Sequence, residues 1–326
     1  MLDNTLTRRT MLAGLATGLT AGLGLPALAQ SDKPVRFILP NATGSGVDVI
    51  ARSAQEALAK ALGHPIIVDN QPGAGGIVGL QALARSPADG VTLGVVSNNV
   101  VIFPSVMKSV PFDMPGDFTP IAVVGYTPVV LVVNAKVPAK DSKEFVALLK
   151  SLNGDMTYGS GGNGTILHLA SAMFLDEAKV SARHIPYKGV GPMLTDLIGG
   201  QINFATVALP SVQGYLKSGA LRAIGMATAQ RATAAPEIPT FVEQGLPNYV
   251  VNAWFAVIGP KGLPPAEVQR VHSAVVAAFN DPEVKDAMAK QGNVINVQPA
   301  DKAMPFFRSE LAAYAALVKK AGVEVQ

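Results

Sequence analysis

The sequence contains no cysteine. It therefore predicts neither disulfide bonds nor a lipid anchor attached to a cysteine, so the stability of the fold must come from its core. Apolar residues make up 49% of the chain, which is enough to build one.

An excess of charge of one sign is also lacking. The chain has 26 basic and 23 acidic residues, and the part that follows residue 29 has 24 and 22, a net charge of +2. No run of five or more basic residues occurs. These features argue against nucleic acid or an anionic membrane surface as a partner. They remain compatible with a locally positive site for an anion.

Motifs of cofactor, metal and catalytic chemistry are absent as well. No Gly-Lys-Ser/Thr closes a glycine loop, and Gly73-Ala74-Gly75 is followed by Val78 where a dinucleotide fingerprint needs glycine. No G-x-S-x-G surrounds Ser45, Ser97 or Ser160, and the four histidines show no H-E-x-x-H spacing. The sequence therefore predicts no cofactor, no metal, no catalytic residue and no enzymatic activity.

The first 29 residues have the pattern of an export signal. Arg8 and Arg9 precede an uncharged run over residues 11–25, and Ala27-Leu28-Ala29 has the small-x-small pattern of a cleavage site. We expect cleavage after Ala29 and a periplasmic protein. The paired arginines fit a twin-arginine signal, which exports folded proteins, and also occur in general secretion signals, so the route stays open.

Beyond the signal, residues 35–98 and 157–209 repeat one plan. Each reads as a short apolar strand, a glycine-rich loop, a helix, a strand, a second helix and a third strand. Alternation at this spacing predicts right-handed βαβ units in parallel sheets. Ligands of such sheets bind at the carboxyl ends of the strands, where both glycine loops would lie.

The two glycine loops are suited to an anion. Gly44-Ser45-Gly46 and Gly161-Gly162-Asn163-Gly164-Thr165 each lead into a helix, whose first N–H groups and dipole favour negative charge. Ser45, Asn163 and Thr165 could add side-chain donors. One such loop could be a simple turn, but two at matching positions favour an anion held from both sides.

Proline and glycine mark where the chain passes between the repeats. We expect a crossing near residues 126–128 and a return strand over 250–258, followed by three helices. This order predicts a discontinuous domain I, residues 30–127 and 250–326, around a domain II of residues 128–249. The two crossings would form a hinge.

Several titratable residues lie near the loops. His168 follows the second loop and reads better as a hydrogen-bonded structural histidine than as a base. Asp48, in the first turn of its helix, could cap the helix or orient loop donors. Asp196 could be surface charge, and Lys188 could be a solvated lysine or a cation at the mouth of the site.

Seven short motifs in series carry a family resemblance. They are Asn70-Gln71-Pro72-Gly73-Ala74-Gly75-Gly76, Asp89-Gly90, Pro111-Phe112-Asp113, Tyr158-Gly159-Ser160, His168-Leu169-Ala170, Pro186-Tyr187-Lys188-Gly189 and Asp196-Leu197-Ile198-Gly199-Gly200. Through them the chain resembles the substrate-binding receptors of tripartite tricarboxylate transporters, the Bug family. The similarity covers essentially everything after the signal.

The resemblance implies an α/β fold of the type II periplasmic-binding-protein class, with two doubly wound α/β domains, a two-strand hinge and a ligand cleft between them. It implies a ligand carboxylate at the first glycine loop, partly through water, with the rest of the ligand at the second loop. By position it implicates Thr43, Gly44, Ser45, Gly46, Val47, Asp48, Ser97, Asn98, Gly162, Asn163, Gly164, Thr165, His168, Tyr187 and Asp196. Val47 departs from the family, which usually has a hydroxyl there.

The sequence therefore favours a periplasmic receptor that captures a small organic carboxylate by hinge closure. Its partners would be that ligand and the membrane subunits of a tripartite tricarboxylate-type transporter, and the receptor would be a monomer. The alternative is a sensory co-receptor that presents its ligand-bound form to a signalling partner. A periplasmic hydrolase would need a nucleophile beside a base, which the sequence motifs do not offer.

Overall fold

The computed structural model describes residues 33–251 and 253–320. The predicted signal peptide, its cleavage site and the last six residues lie outside them. Among the described residues, no helix is both long enough and apolar enough to cross a membrane.

The described chain contains eleven strands and eleven α-helices. The strands are β1 (Val35–Leu39), β2 (Ile66–Asn70), β3 (Thr92–Ser97), β4 (Phe118–Thr127), β5 (Val129–Asn134), β6 (Gly154–Ser160), β7 (Ala182–Pro186), β8 (Phe204–Ala208), β9 (Leu221–Met226), β10 (Ala253–Pro260) and β11 (Val294–Ile295). The helices are α1 (Gly46–Ser53), α2 (Gln55–Leu62), α3 (Ile77–Ala84), α4 (Asn99–Val106), α5 (Ser142–Leu152), α6 (Ile166–Ala178), α7 (Val190–Gly199), α8 (Gln213–Lys217), α9 (Pro265–Asn280), α10 (Pro282–Gln291) and α11 (Ala300–Lys320). Two 3₁₀ turns, Ala74–Gly76 and Leu209–Ser211, precede α3 and α8.

The strands form two sheets. A six-stranded sheet has the order β11-β4-β10-β3-β1-β2, and a five-stranded sheet has the order β7-β6-β8-β5-β9. We call the first sheet and its helices the first lobe, and the second sheet and its helices the second lobe. In each lobe the opening strand of the repeat, β1 or β6, lies between its two parallel partners. The two glycine loops therefore leave equivalent central strands.

The strands of the two repeats pair in parallel as predicted, but each sheet also contains antiparallel strands from outside the repeats. β10 runs antiparallel to β3 and β4, and β5 runs antiparallel to β8 and β9. The reason is that β5 and β10 each begin where the chain enters a new sheet, at the edge where their neighbours β8 and β3 end, so they must run in the opposite direction. The chain thus changes sheet between Thr127 and Val129 and returns before Ala253.

The lobes share a buried interior. One apolar cluster includes Phe103 from the first lobe, Phe145 and Phe204 from the second, and Trp254 from the returning strand. The long helix α11 packs on α4 and β4, where Trp254 Nε1 donates to Glu310 Oε2 at 2.6 Å. Burial raises the pKa of the Glu310 carboxyl. This packing fixes the carboxyl end of β3 and the amino end of β10, which reach the site described next.

Candidate functional site

The first glycine loop, between β1 and α1, is shaped by a buried carboxylate. Asp48 accepts hydrogen bonds from Gly44 N–H at 2.9 Å, from Arg52 Nε at 2.9 Å and from Asn70 Nδ2 at 3.0 Å. Gly44 has φ +80°, a conformation that favours glycine. Asp48 therefore holds the loop from behind, and its oxygen atoms are used within the protein.

The start of α1 leaves two backbone donors unused. The Ser45 hydroxyl caps the helix by accepting from Asp48 N–H at 3.3 Å. Within the described part of the chain, the N–H groups of Gly46 and Val47 have no hydrogen-bond acceptor. Since the helix dipole adds to them, this end of α1 is suited to an anion.

The second glycine loop, between β6 and α6, is more fully occupied. The Thr165 hydroxyl accepts from His168 N–H at 3.3 Å and donates to Gly162 O at 2.9 Å. Asn99, from the first lobe, accepts from Ile166 N–H at 2.8 Å. The sequence predicted that both helix ends could hold the anion, but at α6 a protein side chain already occupies one first-turn donor.

Two histidines support the second loop from behind. His168 and His184 stack with ring centroids 4.0 Å apart, and His168 Nδ1 accepts from Gly164 N–H at 3.2 Å. Burial lowers the pKa of His168 to about 4. Burial and the neighbouring His168 lower the pKa of His184 to about 3. Both rings are therefore neutral at neutral pH.

One serine does stand beside a base, a pair that the sequence motifs did not reveal. Ser160 Oγ lies 2.7 Å from His184 Nε2, but Ser160 is fully buried and also bonds Gly162 N–H and O. A buried hydroxyl engaged by its own loop has no access to a substrate. The lowered pKa also makes His184 a weak base.

A cavity lies between the lobes, at the carboxyl ends of β1, β3 and β6. It holds about 760 Å³ of space not filled by atoms, including its mouth. Among the described residues that line it, Lys188 is the only charged one. The others are Pro40, Asn41, Ala42, Ser45, Gly46, Val47, Ile50, Pro72, Gly73, Gly75, Gly76, Ser97, Asn99, Thr127, Val129, Gly161, Thr165, Ile166, Leu167, Gly189, Val190, Ala208, Ser211, Ala253, Trp254 and Phe255.

The structure divides the sequence-predicted site residues into two groups. Those that line the cavity are Ser45, Gly46, Val47, Ser97 and Thr165. Those that lie outside its wall are Thr43, Gly44, Asp48, Asn98, Gly162, Asn163, Gly164, His168, Tyr187 and Asp196.

Several of the predicted site residues that lie outside the wall hold it in place. Asn98 Oδ1 accepts from Trp254 N–H at 2.9 Å, which joins β3 to β10 beneath the cavity. The Tyr187 hydroxyl donates to Asp196 Oδ2 at 2.7 Å. Burial and this bond raise the pKa of Tyr187 to about 12. Thr43 is exposed.

Several lining residues escaped the sequence analysis. Asn99 follows a predicted strand end directly, a position that could have drawn attention to it. Ser211 and Trp254 come from distant parts of the chain, and no local pattern marks them. The turn at residues 70–76, which carries one of the family motifs, also lines the cavity through Pro72, Gly73, Gly75 and Gly76.

Two lining residues carry buried polar atoms without a hydrogen-bond partner in the described part of the chain. They are Asn41 Oδ1 and Ser211 Oγ. Buried polar atoms are nearly always paired in folded proteins, so these two atoms in the cavity wall are available to a ligand or to ordered water.

The lobes approach each other closely around the cavity. An ideal Cβ placed on Gly46 would lie 2.7 Å from Ala208 Cβ, and one on Gly189 would lie 2.5 Å from Ala42 Cβ. Gly75 similarly faces Gly162. These glycines allow two backbones to meet across the cleft. No group of three or more acidic or histidine side chains in the described chain could hold a metal ion.

The family model described as the tripartite tricarboxylate transporter family receptor matches residues 50–323. The chain belongs to this receptor family. The protein BugT of Bordetella pertussis is 32% identical over 311 residues, 94% of this chain and 95% of BugT. The Bug-family resemblance is thereby confirmed.

Solved structures of family relatives share the fold. The periplasmic binding protein BugD has a TM-score of 0.86 and 28% identity, over 90% of this chain and 99% of BugD. MatC from Rhodopseudomonas palustris, with bound malate, has a TM-score of 0.80 and 28% identity, over 87% of this chain and 98% of MatC. The predicted type II periplasmic-binding-protein fold is confirmed.

Proposed function

We propose that this receptor captures a small organic carboxylate in the periplasm by hinge closure. It then delivers the ligand to the membrane subunits of a tripartite tricarboxylate-type transporter. The observation that carries the proposal is the pair of unused N–H donors at Gly46 and Val47, in a cavity that contains one lysine and no carboxylate. Malate bound to the relative MatC supports the ligand class.

The binding mode follows from the donors that are available. A carboxylate oxygen would accept from the N–H groups of Gly46 and Val47, and each charge-assisted bond contributes about 1.5–3 kcal/mol. Ser97 and Thr165 would contact the ligand, and apolar side chains such as Ile50 and Leu167 would enclose its body. Lys188 would meet a second negative group at the mouth.

The remaining predicted site residues would act through the loops. In this proposal Asp48 and Gly44 set the shape of the first loop, and His168 with residues 162–164 sets that of the second. Asn98, Tyr187 and Asp196 hold the surrounding elements, and Thr43 lies at the rim.

Closure would use the two places where the chain changes sheet. We propose domain I as residues 30–127 and 250–326 and domain II as residues 128–249. Opening would separate pairs such as Gly46 and Ala208, and the ligand would enter between them. We further propose export with cleavage after Ala29, a monomeric receptor and no catalytic residue.

A thermal-melt screen of residues 30–326 tests the proposal. The panel contains mono-, di- and tricarboxylic acids, aromatic acids, amino acids and matched amides. A ligand at about 100 times its Kd stabilises the folded state by about 2.7 kcal/mol, which raises Tm measurably. We expect one class of acid to raise Tm saturably and its amide to leave it unchanged. A flat panel, with native mass spectrometry showing no co-purified ligand, would contradict the proposal and favour the sensory co-receptor.

A further inference from the structure

We infer that Ser211 contacts the ligand: its hydroxyl, on the second lobe, donates to the same carboxylate that Gly46 and Val47 hold on the first lobe. This inference rests on the proposed function. It adds a residue that no sequence motif indicates, and it gives the second lobe a direct contact with the charged group.

The position of Ser211 is fixed by its turn. It ends the 3₁₀ turn Leu209–Ser211 at the carboxyl end of β8, and Leu209 is fully buried. Leu209 N–H donates to Pro128 O at 2.9 Å, and Val212 N–H donates to Leu209 O at 3.0 Å. The Ser211 side chain is thus presented to the cavity from a rigid support.

The Ser211 hydroxyl is buried and has no hydrogen-bond partner among the described residues. Three other hydroxyls in the wall are engaged: Ser45 accepts from Asp48 N–H, Thr165 donates to Gly162 O, and Thr127 donates to Asn293 Oδ1. Leaving a buried hydroxyl unpaired costs free energy, so such a group in a ligand cavity is typically completed by the ligand.

Geometry connects this hydroxyl to the anion-binding end of α1. An ideal Cβ on Gly46 would lie 4.0 Å from Ser211 Oγ, and Gly46 has no side chain to intervene. This distance places Ser211 Oγ beside the first residue of α1 across the cleft, where we expect it to reach an oxygen bound to Gly46 N–H. Because the donors belong to different lobes, only the closed protein can provide all of them, so ligand binding and closure become coupled.

The test compares S211A with S218A as a matched control. Ser218 follows α8 in the same segment, is exposed, and donates its hydroxyl to Tyr215 O at 3.2 Å. The probe is the tightest-binding acid of the melt panel, measured by isothermal titration calorimetry. Removing a hydrogen bond to a charged group should weaken binding of S211A about tenfold to a hundredfold. S218A should bind as the wild type does.

Melting without ligand separates a ligand contact from a structural role. We expect the Tm of ligand-free S211A to equal or exceed that of the wild type, because an unpaired buried hydroxyl has been removed. A Kd of S211A within twofold of the wild-type value would overturn the inference and leave the proposed function standing. A lower ligand-free Tm with unchanged Kd would overturn it in favour of a structural role. If the wild type binds no acid, the proposed function fails and this inference fails with it.

Discussion

The tautomer of His168 is set by its neighbours. Its Nδ1 accepts from Gly164 N–H, so that nitrogen carries no proton, and the ring stacks on His184. Proton uptake would remove the acceptor that holds Gly164 and would place charge in a buried stack. The second loop therefore depends on a histidine that stays neutral.

This dependence predicts a measurable effect of pH on stability. The pKa of His168 is about 4 in the folded protein and about 6.5 in the unfolded chain, so the folded state binds fewer protons between these values. The contribution to stability is fully present above about pH 6.5 and is lost as the pH falls toward 4. Between pH 7 and 4.5 we expect the wild type to lose about 2 kcal/mol more of its free energy of unfolding than H168N.

Asparagine is the appropriate replacement because its Oδ1 can accept from Gly164 N–H without titrating. Groups common to both proteins cancel in the difference, and the pKa of His184 is lowered mainly by burial, which H168N leaves in place. Urea unfolding at a series of pH values provides the measurement. Parallel stability curves for the two proteins would show that His168 does not titrate as its burial implies.

The two repeats show how similar elements can differ in chemistry. α1 and α6 both follow a glycine loop at the end of a central strand, and both have a hydroxyl cap, Ser45 or Thr165. At α6, however, Asn99 of the other lobe already accepts from Ile166 N–H. The glycine pattern reveals where helices begin. It does not reveal which helix end a distant side chain will occupy.

Close contact between α1 and the end of β8 predicts the effect of a single methyl group. In G46A the new Cβ would lie 2.7 Å from Ala208 Cβ, so the lobes could not approach as they do here. We expect G46A to weaken binding of the panel acid at least tenfold, measured by calorimetry. Its ligand-free stability should be unchanged or slightly higher, because alanine favours helix more than glycine does.

Two further variants test whether the contact with Ala208 causes the loss of affinity in G46A. G199A places a methyl group at the end of α7, where nothing lies within 4 Å, and should leave affinity unchanged. In the double variant G46A/A208G the opposing methyl group is gone, and affinity should recover substantially. A double variant as weak as G46A would mean that the contact with Ala208 is not what limits closure.

At the scale of the whole molecule, periodicity and punctuation predicted most elements. The predicted return strand is β10, three helices follow it, and the paired βαβ units are present in both lobes. The direction of the antiparallel strands β5 and β10 was not predicted, since the signal for parallel pairing comes from the repeats and these strands lie outside them. Strand direction there depends on how the chain passes between sheets.

The site was predictable only where it is local in sequence. Ser45, Gly46 and Thr165 line the cavity, and they belong to glycine loops that are apparent in the sequence. Ser211, Asn99 and Trp254 line it because the two lobes meet, a long-range arrangement that no short pattern encodes. Residues such as Asp48 lie near the site in sequence yet face away from the cavity, since their side chains bond the loop itself.

The most direct measurement is a crystal structure of residues 30–326 with the tightest-binding acid of the melt panel. We expect one carboxylate oxygen within the cavity, about 2.7–3.2 Å from the backbone nitrogens of Gly46 and Val47, with the lobes in contact. A ligand carboxylate bound elsewhere, with the start of α1 contacted only by water or left open, would contradict the claim that Gly46 and Val47 hold the ligand.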